Sequence, residues 1–313
     1  MVLHLAGRYP LGGIGWQAIH YVLGLTRLGH DVYYVEDSGA HPYDPRVKSV
    51  VGNASYSVAF LADVMGRFGL ADHWVYVDTL TGAHHGLSRE RLADLYRDAD
   101  ALFNVCAATR LSEEHLRCPI RVYVETDPVF EQIRVAEGDR QAILALEDHT
   151  HHFTYGENMG QPDSPIPLEK FAWRPTRPPV IPDLWSTPID PTAERFTTIA
   201  TWKNAGKDIH FRGETYLWSK HLNFLRVIDL PSRTRHPAGA RDGAGGGGPG
   251  DARPSGSQRM GPPGRLPGLP DPDHLPALHP AVARGVRRTW SPGHGVAGLA
   301  TGACAIWPPA SRS

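Results

Sequence analysis

A change of chemistry near residue 231 most limits what this 313-residue chain can fold into. Every Glu and Lys lies before it, the last being Glu214 and Lys220, and the last Phe, Tyr and Asn (Phe224, Tyr216, Asn223) also precede it. From Ser232 to Ser313, 82 residues hold 16 Gly, 13 Pro and 10 Arg against four Asp. Gly and Pro together exceed the ~25–30% that marks low-complexity or unfolded sequence. The stretch before the break reads as globular sequence, and the tail after it cannot build a core. Residues 1–231 suffice for one full domain and the beginning of another.

Two origins of the tail compete. A GC-rich gene read out of frame from between about Leu230 and Pro237 yields Arg, Pro, Gly and Ala and loses Lys, Glu, Phe, Tyr and Asn. The isolated Trp290 and Trp307 suit that origin. The alternative is a natural disordered extension biased in Gly, Pro and Arg.

The formal charge of −1 hides an asymmetry, because the tail carries +6 and the residues before it −7. A slightly acidic body does not suit a nucleic-acid or membrane-surface partner. The cysteines Cys106, Cys118 and Cys304 have neither metal spacing nor a pairing pattern, and Cys106 sits in an apolar run as a reduced, buried thiol would. No stretch approaches the ~18 apolar residues that span a bilayer. The apolar start Met1–Ala6 is too short for a signal peptide and lacks a basic leader. The expectation is a cytoplasmic protein with no transmembrane segment.

Strand and helix signals alternate over the first ~150 residues, the mark of parallel βαβ units. Val2–Ala6 reads as a buried first strand, followed by the glycine-rich turn Gly12-Gly13-Ile14-Gly15 and an amphipathic helix stopped by Gly29. Asp31–Asp37 is the second strand, and a helix through Val58, Leu61, Met65 and Phe68 closes at Gly69. Trp74–Val77, Ala101–Val105 and Ile120–Val124 continue the strands. Ser88 caps one helix, Ser112–Arg117 forms another, and Gln141–Glu147 a third, before an extended His152–Tyr155. The proline-rich stretch 161–191 reads as a crossover between domains. Phe196–Ala200 then restarts a strand, and Leu217–Leu225 a helix.

Four groups of residues carry candidate chemistry. Gly12, Gly13 and Gly15 let a backbone approach a ligand at a helix N-terminus, although their spacing departs from the dinucleotide fingerprint and equally suits a plain tight turn. Glu36-Asp37 and Glu125-Thr126-Asp127 follow strands, where open parallel sheets bind ligands; a carboxylate there acts as a general base, accepts sugar hydroxyls, or merely forms a turn. In the run His149-Thr150-His151-His152, strand alternation puts His149 and His151 on one face. The nearest other pair, His84-His85, does not complete a metal site. Lys203, beside Trp202 and Asn204 after the restart strand, can neutralise phosphate, as can Lys207, or can simply lie exposed on a loop.

The segment from Gly12-Gly13-Ile14-Gly15-Trp16 through Leu25-Thr26-Arg27-Leu28-Gly29-His30-Asp31-Val32 resembles the start of glycosyltransferases built from two Rossmann-like domains, the GT-B architecture. Thr126-Asp127-Pro128 and Tyr155-Gly156-Glu157-Asn158 look like phrases of bacterial members of that group. The resemblance covers residues 1–231. It implies an α/β fold with a Rossmann-like N-terminal domain over 1–190 and an incomplete second domain over 191–231, followed by the disordered tail that composition gives over 232–313. It further implies a nucleotide-sugar donor, an acceptor held mainly by the N-terminal domain, and no cofactor or essential metal. Asp127, on a matching position, or His151 of the histidine run is the expected base, with Gly12, Gly13, Glu157 and Asn158 on matching positions and Lys203 after the restart strand contacting substrate. The family's donor-side glutamates have no counterpart after Glu214, so turnover by this chain is not expected. A non-catalytic binding module and a sugar-nucleotide epimerase of the same architecture are the alternatives.

Overall fold

The alternating apolar runs become the strands of a largely parallel sheet, and the amphipathic stretches become the helices that cross over it. The computed structural model of the protein describes residues 1–185, 196–200, 202, 206–233 and 238–242. The chain divides after Pro182 into two units.

The first unit runs β1 (Val2–Leu3), α1 (Gly12–Arg27), β2 (Tyr34–Glu36), a small hairpin of β3 (Tyr43–Asp44) and β4 (Ser49–Val50), then α2 (Ser55–Arg67), β5 (Trp74–Val77) and β6 (His84–Gly86). It continues through α3 (Arg89–Asp98), β7 (Ala101–Val105), α4 (Glu113–Leu116), β8 (Ile120–Glu125), α5 (Phe130–Ala136), α6 (Arg140–Glu147), β9 (His151–Thr154) and β10 (Trp173–Pro175). The eight-stranded sheet has the order β10-β9-β8-β7-β1-β2-β5-β6. All neighbours are parallel except β5 and β6. From β1 the chain steps outward through β2 and β5, returns past β1 to β7, and steps the other way. The order therefore reverses between β1 and β7, the place where open α/β sheets form a crevice at their carboxyl edge.

Local chemistry fixes the helix ends. Ser88 Oγ accepts the Arg91 amide at 3.2 Å, and Asp139 Oδ1 accepts those of Gln141 and Ala142 at 2.9 and 3.2 Å. α1 and α2 stop where Gly29 (φ 93°) and Gly69 (φ 71°) enter the left-handed region that side chains disfavour. Leu3, Val35, Val75 and Leu102 from the sheet pack with Leu92 and Leu95 of α3, while Tyr123 packs with Val135, Ala142 and Leu146 of α5 and α6.

Several sequence expectations change, among them the second strand, which runs Tyr34–Glu36 rather than Asp31–Asp37. The first strand ends at Leu3 rather than Ala6, because the amides of Ala6, Gly7 and Arg8 bond to the side chains of Tyr34 and Glu36 instead of to a neighbouring strand. The proline-rich stretch 161–191 contains a strand, β10, paired in parallel with β9. Pro175 is tolerated there because β10 is the edge and one row of its backbone groups faces away from the sheet. The helix expected over Leu217–Leu225 shortens to α7 (His221–Leu225), since the Trp218 amide is held by Asp208 Oδ1 at 2.8 Å.

The second unit pairs β11 (Phe196–Ala200) in parallel with β14 (Ala238–Asp242), and β12 (Ile209–Phe211) in a hairpin with β13 (Glu214–Tyr216). Arg212 and Gly213 both have positive φ, as a two-residue primed turn requires. Trp202 stacks on Phe224 with centroids 5.7 Å apart. Leu222, Leu225, Val227, Ile228 and Leu230 stand exposed. β14 lies inside the stretch read from composition as tail. Strand pairing uses peptide groups, to which residue composition is blind. The rest of that reading, residues 234–237 and 243–313, lies outside the described residues. Among the described residues no helix is long and apolar enough to cross a membrane.

Candidate functional site

The carboxyl edge of the first unit's sheet is organised by two buried glutamates. Glu36 ends β2 and is 1% exposed. Its Oε2 accepts the Gly7 amide at 2.6 Å and the Tyr34 hydroxyl at 2.5 Å, and its Oε1 accepts the Arg8 amide at 2.5 Å. Burial pushes its carboxyl up to about 7, against the pull of these donors. Glu36 thus clamps the loop that follows β1. A side chain at Gly7 has no room, because its Cβ would lie 2.7 Å from Glu36 Oε2 and 2.8 Å from Leu61 and Tyr76.

Glu125 ends β8 and is 3% exposed. Its Oε2 accepts Thr154 Oγ1 at 2.6 Å and Gln132 Nε2 at 2.9 Å, while Oε1 is buried without a partner. Burial pushes the carboxyl up to about 8, so it is mostly protonated near neutral pH. Gln132 also accepts the Val129 amide through Oε1 at 2.8 Å. That bond braces a turn in which Val129, a β-branched residue, has φ 89°. Such backbone costs about 1–3 kcal/mol and persists only where its surroundings enforce it. The braced turn is Thr126-Asp127-Pro128-Val129 at the carboxyl end of β8.

Between these clamps, side chains from several elements meet at the switch in strand order. His4 after β1 is fully buried, with Nε2 3.1 Å from Gln17 Oε1 of α1. The Cys106 thiol after β7 donates toward the same Oε1 at 3.4 Å and accepts Thr126 Oγ1 at 3.0 Å. Cys106 and Ala107 both adopt left-handed backbone, with φ 62° and 50°. The hydroxyls of Tyr21 and Tyr155 are 2.8 Å apart. Burial lowers His4 to about 4, so its imidazole is neutral at neutral pH and suits hydroxyls better than ions.

The acidic residues singled out from sequence divide. Asp37 is engaged by the Tyr96 hydroxyl and lies 3.1 Å from His115 Nε2. Burial pushes its carboxyl up, but these contacts outweigh burial and hold it below the ordinary value. Asp127 sits on the braced turn. Gly156 brings the next loop against it, since a Cβ there would lie 3.1 Å from Pro128 Cβ and 2.8 Å from Met159 Cε. That loop carries Glu157, held by a two-pronged ion pair with Arg177 at 2.7 and 3.0 Å, and the exposed Asn158. Gly12 and Gly13 open α1, with Gly13 exposed. Gly15 has a packing role, because a Cβ there would lie 3.0 Å from Phe60 of α2.

His151 is not brought to this edge. It opens β9 opposite Val122, three residues and about 10 Å of strand before Thr154. Its Nδ1 lies 2.9 Å from Thr150 Oγ1. The expected alignment of His149 with His151 gives way to a pairing of His149 with His152, whose ring centroids are 6.5 Å apart, because the strand begins only at His151. His149 Nδ1 meets Ala145 O and His152 Nε2 meets Leu146 O, both at 2.8 Å, and both rings pack near Tyr123. These are core histidines. Lys203 and Asn204 lie outside the described residues.

Among the described residues no group of three or more His, Cys, Asp or Glu side chains is placed to hold a metal ion. Sequence reasoning passed over His4, Gln17, Gly7 and Tyr155. Gly7 alone carried a local signal, as a glycine directly after a buried strand; the others gain meaning only when the strands are laid side by side. The chain matches no protein-family model, no curated protein and no solved structure.

Proposed function

We propose that this chain derives from a nucleotide-sugar-dependent glycosyltransferase of the GT-B type, that the first unit is its acceptor side, and that the chain as it stands does not turn over. The observation that carries this reading is the strand-order reversal between β1 and β7, with Asp127, Glu157, Asn158 and the Gly12-Gly13 helix start all at the carboxyl edge. In this reading Asp127 accepts the proton of an acceptor hydroxyl as that oxygen attacks the anomeric carbon and the nucleoside diphosphate leaves. The His4–Gln17–Cys106–Thr126 group offers acceptor hydroxyls hydrogen-bond partners. Gly12 and Gly13 admit the donor or acceptor close to the backbone, and no metal is required. The loss of Glu, Lys and most aromatics after residue 231 argues against a complete donor-binding wall.

The test begins with the gene. Translating its DNA in the other two frames after residue 237 should reveal a patterned α/β continuation, and the protein made in that frame should release nucleoside diphosphate from a nucleotide sugar with an acceptor present. Asp127→Asn should then lower kcat by about 10²–10⁴-fold, the usual weight of a general base. The absence of a patterned frame, or nucleoside diphosphate release by the present chain, refutes the reading. A second reading, a binding module without catalysis, is favoured by the structural employment of Glu36, Asp37 and Glu125. Tight acceptor binding with full retention in Asp127→Asn would select it.

A further inference from the structure

Among the described residues, the crossover helices leave part of one sheet face without a helix. α5 and α6 pack on Tyr123, so its strand neighbours Val122 and Val124 point to the opposite face. There, with Phe103 and Phe153, they floor a cavity of about 380 Å³ between α1 and the strap 176–181. The strap is tied down by the Ile181 amide, which donates to His20 Nδ1 at 3.2 Å. Leu28 and Val180 line the cavity and are 75% and 58% exposed, so its mouth carries apolar surface beside the ion-paired Arg177.

Gly24 of α1 lines the same cavity. Glycine inside a helix is worth about 1 kcal/mol less than alanine. Nothing in the fold demands it for room, because a Cβ would meet only Ile181 Cδ1, at 4.0 Å. The effect of the glycine is to leave the space open.

Size decides what fits. The cavity is about two and a half times the ~150 Å³ cavity that takes up benzene. We propose that this cavity is a binding site for a neutral, apolar small molecule of about two-ring size, entering past Leu28 and Val180. It adjoins the carboxyl-edge site, with Tyr21 and Arg177 common to both, and stands whether or not the chain descends from a transferase.

The test titrates the full chain with N-phenyl-1-naphthylamine and follows its fluorescence, with wild type, Gly24→Ala and Gly24→Leu compared. Wild type and Gly24→Ala should bind one saturable equivalent. Gly24→Leu, whose side chain projects into the cavity and takes up part of it, should bind about tenfold more weakly or worse while its Tm equals or exceeds that of wild type. Three results overturn the proposal. One is no saturable binding by wild type, and another is binding by Gly24→Leu equal to wild type, which would place the dye elsewhere, as on the exposed Leu222–Leu230 patch. The third is a Tm of Gly24→Leu several degrees below wild type, which would show the space already filled by the chain itself.

Discussion

Replacing Glu125 with Gln should change how stability depends on pH more than it changes stability itself. The carboxyl is raised from an ordinary 4.5 to about 8, with burial the cause. The folded state therefore holds the proton more tightly than the unfolded chain. Its contribution is fully present below pH 4.5, declines as pH rises, and is lost once pH passes about 8. At 1.36 kcal/mol per pH unit the whole interval is worth about 4–5 kcal/mol as an upper bound, of which about 2–3 falls between pH 6 and pH 8.5. Gln cannot ionise, keeps the shape, and can still accept from Thr154 and Gln132 at the position of Oε2 while its amide stands where Oε1 lies unpartnered. Thermal unfolding of the two proteins across this range should show Glu125→Gln gaining on wild type as pH rises, by about 5–10 °C for a unit of this size. Any constant offset from imperfect hydrogen bonding is irrelevant; the divergence is the signal. Parallel Tm curves would refute a buried, proton-holding Glu125.

On the acid side the sign reverses, because burial lowers His4 and His149 to about 4 and both are neutral when folded. The stability they support is present above an ordinary 6.5 and is lost as pH falls through about 4, so His4→Gln should flatten the acid limb of a denaturation curve. Gly7→Ala should destabilise by about 1–3 kcal/mol, since its methyl group meets Glu36, Leu61 and Tyr76 inside contact distance; urea denaturation measures it, and a neutral result would mean that the loop after β1 moves freely.

The periodicity of the first ~150 residues was sufficient to read an alternating α/β chain, because apolar spacing of two and of three to four is a local property of strands and helices. The ends of α1 and α2 were legible for the same reason: Gly29 and Gly69 stop their helices through their own backbone freedom. The break in composition near residue 231 also belongs to the sequence alone. Tertiary structure decided which signals carried a site. His151 looked eligible beside its neighbours, yet strand register put it at the wrong end of β9, while His149 and His152 went into the core. β10 was hidden because a proline-rich edge strand lacks the apolar pattern of a buried one. Glu36 and Glu125 read as acids at strand ends, and only their surroundings made one a clamp on backbone amides and the other a mostly protonated carboxyl. Residues far apart in the chain, such as His4, Gln17, Cys106, Thr126 and Tyr155, come together because parallel strands place their carboxyl ends side by side. That adjacency is a property of the sheet, and no local window of sequence contains it.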